Sequence, residues 1–234
     1  MDLVEVTAAN MSDFSLLNRN RLYESLEVND DLQLDEIEVN GKTSWFRIRN
    51  VFKDPDAAVE SLKNWPVLTG HVYTPGGRQN FTPMDLVPLV KAYSKIAEAI
   101  TNKEHKPESF ISASNVVPPN PRVWDGSWHP HTDHDLVFNL WLCDWTEGTG
   151  LFTYKNCLSS REYKGIPDQK LNRDKIVDWQ NPKTEHGYEH YYTIPCEYNT
   201  LTIYDGKLFH GTIMGKGKGY RYSLISFHHP KESY

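Results

Sequence analysis

Residues 129–135 read His-Pro-His-Thr-Asp-His-Asp, and within that run His131 and Asp133 stand two apart. On an extended segment successive side chains alternate, so these two face the same way. A further imidazole lies far downstream in Leu208-Phe209-His210-Gly211. Two histidines and a carboxylate are the ingredients of a facial triad, which holds one face of a non-haem Fe(II) and leaves positions open for oxygen chemistry. Arg221-Tyr222-Ser223 begins eleven residues after His210, with the turn material Gly215-Lys216-Gly217-Lys218-Gly219 between them. A hairpin about Gly215-Lys216 is expected to set His210 and Arg221 on adjacent antiparallel strands, where facing residues lie ~4.5–5.5 Å apart. Arg221 and Ser223 then share a face. A planar guanidinium beside a hydroxyl suits the distal carboxylate of a dicarboxylate co-substrate.

Other polar residues compete for attention. His129-Pro-His131-Thr-Asp133-His134 also fits HxHxDH, the zinc signature of metallo-β-lactamase-type hydrolases. There the motif opens a helix, whereas Leu136–Leu142 is strand-like here, and Arg221-x-Ser223 would have no role. His186 and His190, at i and i+4, could ligate zinc from a helix face, but Gly187 between them and the strand-like run after them favour a surface or lid position. Trp124 and Trp128, with Arg122 and Asp125, lie in the loop entering the metal motif, where aromatics line either a pocket or the core. Tyr73 and Arg78, about a Gly-Gly turn, are lid candidates. Phe227 shares the Arg221 face. On the run Leu136–Leu142, Asn139 and Trp141 share one face and Phe138 and Leu140 the other, with nothing to say which points inward.

These residues need a scaffold. Asp54-Pro55 reads as an N-cap followed by Pro at the first helical position, opening a helix through Ala58, Val59, Leu62 and Trp65 that Pro66 ends. The clearest helix spans about Asp85–Thr101: Leu86, Leu89, Val90, Tyr93, Ile96, Ala97 and Ile100 form one stripe at the 3.6 period. Asp85 would be its N-cap, which puts Pro88 in the first turn. Trp45–Arg49 alternates like a short strand. From Phe110 onward come short strand-like runs cut by turn residues: Phe110–Val117, Leu136–Leu142, Leu151–Tyr154, Tyr191–Ile194, Thr200–Tyr204 and Tyr220–His228. Ser159–Glu189 is a polar excursion between strands. The expected architecture is β-rich α+β, with a sandwich or barrel core and a helical layer from the N-terminal part.

The skeleton His131-Thr-Asp133, a long gap, His210, then Arg221-x-Ser223 resembles the Fe(II)/2-oxoglutarate-dependent oxygenases, the prolyl-4-hydroxylase-like branch most closely. The resemblance covers roughly Phe110 to His229. Leu136–Leu142 looks like the strand after the metal pair, Glu147-Gly-Thr-Gly-Leu-Phe152 like the Gly-rich turn, and Asn199–Asp205 like the strand before the distal histidine. It implies a double-stranded β-helix of jelly-roll or cupin type, with iron on His131, Asp133 and His210. Arg221, assisted by Ser223, would grip 2-oxoglutarate, and O2 would be the oxidant. Related halogenases replace the carboxylate by a small residue, so the retained Asp133 implies hydroxylation, with release of succinate and CO2. The substrate would be amino-acid-like, peptidyl or otherwise small. The other function class weighed is a non-catalytic jelly-roll binding protein, against which the intact ligand set counts.

Composition bounds the rest. With 234 residues, 38% hydrophobic and 24% charged, the chain is an ordinary globular sequence able to bury a sizeable core. No linker divides it, so one domain over 1–234 is expected: a mixed helical and strand support layer at 1–109 and a barrel core at 110–234. The net charge of −6, with no basic block, argues against a dedicated nucleic-acid or membrane binder. No apolar run approaches the ~20 residues of a membrane span. Cys143, Cys157 and Cys196 lack CxxC spacing, which fits a reducing, cytoplasmic setting without disulfides.

Overall fold

The structure, a computed structural model, describes residues 22–65, 67, 77–107, 110–117, 130–133, 135–163, 187–213 and 215–228. In chain order these form β1 (Asp35–Val39), β2 (Thr43–Arg49), α1 (Pro55–Lys63), β3 (Gly77–Phe81), α2 (Val87–Thr101), β4 (Phe110–Val117) and β5 (Leu136–Trp141). There follow β6 (Thr149–Tyr154), β7 (Tyr188–Ile194), β8 (Thr200–Asp205), β9 (Phe209–Thr212) and β10 (Arg221–His228). A seven-stranded antiparallel sheet runs β1-β2-β8-β5-β10-β4-β3, and a three-stranded one runs β7-β6-β9. The architecture is thus mostly sheet, jelly-roll-like, with few helices. No helix among the described residues is long and apolar enough to cross a membrane.

The period-2 pattern of the strands divides the core into two. On the outer face of the large sheet, Phe138, Leu140, Leu201, Ile203, Tyr222 and Leu224 pack with Ala58 and Leu62 of α1 and Leu89, Val90, Tyr93 and Ala97 of α2. Tyr93, fully buried, sits 4.7 Å from Phe138 and 5.9 Å from Phe110 between ring centroids. Burying such a side chain stabilises by roughly 1.5–3 kcal/mol. On the inner face, Val137, Tyr204 and Trp45 meet Leu151 and Ile194 of the small sheet, with Ile225 and Phe227 against them. The face left open by the sequence is therefore decided: Asn139 and Trp141 point between the sheets, and Phe138 and Leu140 toward the helices.

Three expectations change. The chain directly after the Gly-Gly turn, where Arg78 is a lid candidate by sequence, forms the edge strand Gly77–Phe81, and residues 35–39 form the opposite edge. The N-terminal part thus extends the large sheet at both ends. Asp85 does not cap α2; its carboxylate accepts from Thr82 N (2.8 Å) and Thr82 Oγ1 (2.7 Å), closing a turn one step earlier, and Leu86 takes the cap position. By contrast Asp54 does cap α1, accepting from Ala57 N at 2.9 Å.

The third change concerns the hairpin. β9 pairs with β6, and β10 lies between β4 and β5, so His210 and Arg221 sit on opposite sheets. The glycine-rich stretch between them is spent on a crossing instead of a turn. Thr146 N donates to Lys216 O (2.9 Å), Lys216 N donates to Thr146 Oγ1 (2.9 Å), and Gly217 bridges Trp145. A Cβ at Gly217 would collide with the Trp145 indole, so the crossing needs glycine there.

Candidate active site

His131 forms an isolated antiparallel bridge to His210, each N–H bonded to the other's carbonyl at 2.9 Å. This short pairing carries the HxD segment alongside β9. Asp133 N then donates to Gly206 O at 2.7 Å, which turns the chain toward β5. As a result one ligand atom each from His131, Asp133 and His210 lies within 4.8 Å of the others, the only such group of three among the described residues. Asp133 Oδ2 is 3.0 Å from His210 Nε2 and 3.7 Å from His131 Nε2. Side-chain exposure falls from 40% at His131 to 21% at Asp133 and 4% at His210, so the cluster opens to solvent on the His131 side.

The donor set asks for a cation. Nδ1 of His210 donates to Leu208 O at 2.9 Å, which leaves Nε2 as the ring atom facing the Asp133 carboxylate. A ring nitrogen and a carboxylate oxygen at 3.0 Å hold either a proton or a metal ion between them. Burial pushes the Asp133 carboxyl up, but hydrogen bonds from His131 and His210 and their charge outweigh it and hold it well below the usual carboxylate range. Two imidazoles and one ionised carboxylate on one side of a point fit an octahedral Fe(II) with open positions.

Arg221 is buried inside the barrel. Its Nη2 donates to Gly148 O at 3.2 Å, its Cζ stacks 4.7 Å over the Trp141 ring, and its Nε has no partner among the described residues. Burial lowers its pKa, and it has no carboxylate partner among the described residues. A guanidinium so placed is costly without an anion. Gly148 stands three residues before Leu151, the register partner of His210, so the backbone positions that hold the guanidinium and face the imidazole are offset by about 10 Å along the strand at ~3.3 Å per residue. Ser223, the next residue on the Arg221 face, is buried beside Trp141 in the register. The free thiols of Cys143 and Cys196, 3.5 Å apart, adjoin the guanidinium, and Cys196 shares a hydrogen bond with it.

Between the two ends runs a polar wall that the sequence reading did not assign. Tyr204 packs its ring 4.9 Å from His210 and shares a hydrogen bond with Thr149. Burial, helped by the Asp133 charge, raises its pKa, so it stays a neutral hydroxyl. Asn139 Nδ2 reaches Thr149 Oγ1 at 3.5 Å, and its Oδ1 is buried without a partner. The alternation Thr200, Thr202, Tyr204 along β8 was a usable signal, once the inward face is known. His190 lies in β7, 2.8 Å from Thr193 Oγ1, so its helix-face spacing with His186 has no meaning. His129, His134, His186, His229, Tyr73, Trp124, Trp128, Arg122 and Asp125 lie outside the described residues.

No protein-family model matches the chain, and no curated protein does. Several solved structures resemble it at low identity. A prolyl-4-hydroxylase from Pseudomonas putida is 11% identical, with a TM-score of 0.47 over 82% of this chain and 95% of the other. SnoK, a non-haem α-ketoglutarate-dependent carbocyclase from nogalamycin biosynthesis, is 13% identical, with a TM-score of 0.44 over 95% and 85%. AviO1 from Streptomyces viridochromogenes is 14% identical, with a TM-score of 0.39 over 94% and 88%.

Proposed function

We propose that the chain is an Fe(II)- and 2-oxoglutarate-dependent oxygenase, built on a double-stranded β-helix, that hydroxylates a C–H bond of a small or peptidyl substrate. The observation that carries this reading is the pairing of a two-histidine, one-carboxylate cluster with a buried guanidinium that has no carboxylate partner among the described residues, held by the carbonyl of Gly148 just before the strand that pairs with His210. Iron bound by His131, Asp133 and His210 would couple oxidative decarboxylation to C–H oxidation: R–H, 2-oxoglutarate and O2 give R–OH, succinate and CO2.

The residues divide the remaining work. The Leu208 carbonyl fixes the tautomer of His210, so Nε2 is always the ligand atom. Arg221 binds the distal carboxylate of the co-substrate with the fork that Gly148 and Trp141 hold in place, and Ser223 supports it. Tyr204, Thr149 and Asn139 line the path between guanidinium and metal. They offer hydroxyl and amide groups to the co-substrate while excluding bulk water. The alternative of a zinc hydrolase is not favoured: the HxD segment runs into β5 rather than opening a helix, and Arg221 would have no task.

The test uses anaerobically purified protein loaded with Fe(II) and 2-oxoglutarate. A visible metal-to-co-substrate charge-transfer band is expected before air is admitted, and succinate after it. Asp133→Ala should abolish both, whereas His129→Ala should leave iron binding largely intact. Absence of both band and succinate in the wild type sinks the reading. Oxygen-independent ester or phosphodiester cleavage with zinc would replace it by the hydrolase.

A further inference from the structure

The edge strand β3 alternates in a way that bears on what the site oxidises. Gln79 and Phe81 face the helices: Gln79 Nε2 donates to Leu62 O (2.6 Å) and Trp65 O (3.0 Å), and the Phe81 ring lies 5.2 Å from that of Trp65. By the period of 2, Arg78 and Asn80 face the other way, toward the space between the sheets. The register places Arg78 opposite Asn115, Asn115 opposite Ser223, and Ser223 opposite Trp141, so one inward-facing row runs from Arg78 across to the co-substrate pocket. Because β3 is the last strand of its sheet, the Arg78 end of that row is the open one.

Arg78 is half-buried, yet makes no hydrogen bond or ion pair among the described residues. The charge that acts on it is that of the Asp133 carboxylate. Opposite it in the register, Asn115 Oδ1 is buried with no donor among the described residues. A guanidinium without an anion and an adjacent acceptor without a donor are together complementary to one chemical pattern: a carboxylate with an N–H or O–H group next to it. Arg221 already supplies the anion site for the co-substrate, and Asp133 would be engaged by the metal, so neither satisfies this pair.

Resting on the oxygenase reading, we infer that the oxidised substrate is a small carboxylic acid bearing an adjacent amino, amide or hydroxyl group, whose carboxylate Arg78 holds while Asn115 Oδ1 accepts from the neighbouring donor. Arg78 is thereby a specificity residue. It anchors the substrate at the open edge, with the remainder of the molecule directed at the metal ligands.

The experiment uses the full chain with Fe(II) and 2-oxoglutarate and a panel of amino and hydroxy acids, each paired with its primary carboxamide. Binding is measured calorimetrically without oxygen, and stimulation of succinate release is measured in air. Acids should bind and stimulate at least tenfold better than their carboxamides. In Arg78→Met that preference should vanish through a rise of about 10- to 100-fold in KM, the size of a partly exposed charge-assisted contact. Arg78→Lys, which keeps the charge without the fork, should recover part of it. Both variants should retain iron through desalting and bind 2-oxoglutarate as the wild type does. Equal or no binding of acids and carboxamides by the wild type overturns the inference, as does a preference that survives Arg78→Met. Loss of iron or of 2-oxoglutarate affinity in Arg78→Met also overturns it, because Arg78 would then serve Asp133 or the co-substrate. Failure of the oxygenase reading is separate: the wild type would release no succinate with any compound, while calorimetry would still decide the acid preference.

Discussion

At the scale of single residues, the site is governed by what each buried polar group lacks. His210 Nε2 stands 3.0 Å from Asp133 Oδ2, and the buried Nε–H of Arg221 has no acceptor among the described residues. A buried guanidinium N–H without an acceptor is costly, and a carboxylate ligand would satisfy it. Removing one partner of a desolvated charge pair costs about 2–5 kcal/mol. Arg221→Ala is therefore expected to weaken 2-oxoglutarate binding by roughly 30- to 4000-fold, at ~1.4 kcal/mol per decade. Titration of the co-substrate into the iron-loaded protein, followed at the charge-transfer band, measures this. An unchanged affinity would remove Arg221 from its assigned role.

At the scale of elements, β6 is the strand on which both ends of the site depend. Leu151 stands in register with His210, and Gly148 just before the strand supplies the carbonyl that holds Arg221. Gly148 has no room for a side chain: a Cβ would lie 2.5 Å from Ile194 O and 3.1 Å from Cys196 N, both backbone atoms of the β7 side. Gly148→Ala must push the two segments apart, an overpacking that costs about 1–3 kcal/mol. At 2–4 °C per kcal/mol for a chain of this size, Tm should fall by about 2–12 °C. The 2-oxoglutarate affinity should fall with it, because the Arg221 anchor moves. A variant with wild-type Tm and affinity would show that the strands can shift without disturbing the pocket.

At the scale of the whole molecule, the segment after α2 is tied to the last strand through a pair of imidazoles. His105 Nδ1 and His228 Nε2 are 2.7 Å apart, and His105 Nε2 meets Thr101 Oγ1 at 2.5 Å. Burial lowers the pKa of His105 below 6.5; Glu98 and Asp135 oppose that shift and Lys103 adds to it. An N···N hydrogen bond holds one proton, and a second would set two donors face to face. The unfolded chain, with an ordinary imidazole near 6.5, therefore binds the proton more readily than the folded one as pH falls. Native stability from this pair is intact above about pH 6.5 and declines below it. The urea midpoint should drop between pH 7 and pH 5, and His105→Gln should make that drop smaller. An identical drop in the variant would assign the pH dependence to other groups.

The sequence by itself determined the local chemistry. The spacing of His131 and Asp133, the 3.6-period stripe of α2, the Asp54-Pro55 cap and most of the strands after Phe110 follow from interactions within a few residues of one another. Tertiary structure decided what depends on which surfaces meet. Along β5 and β8 both faces are apolar enough to be buried, one under helices and one between sheets, so alternation could not say that Asn139, Trp141 and Tyr204 point to the site. The glycine-rich stretch before Arg221 has turn composition, but its backbone groups find partners at Trp145 and Thr146, across a sheet boundary. Arg78 reads as a loop residue beside Gly76-Gly77 until β4 offers its edge. Long-range pairing of backbone hydrogen bonds set each of these, and no local pattern encodes it.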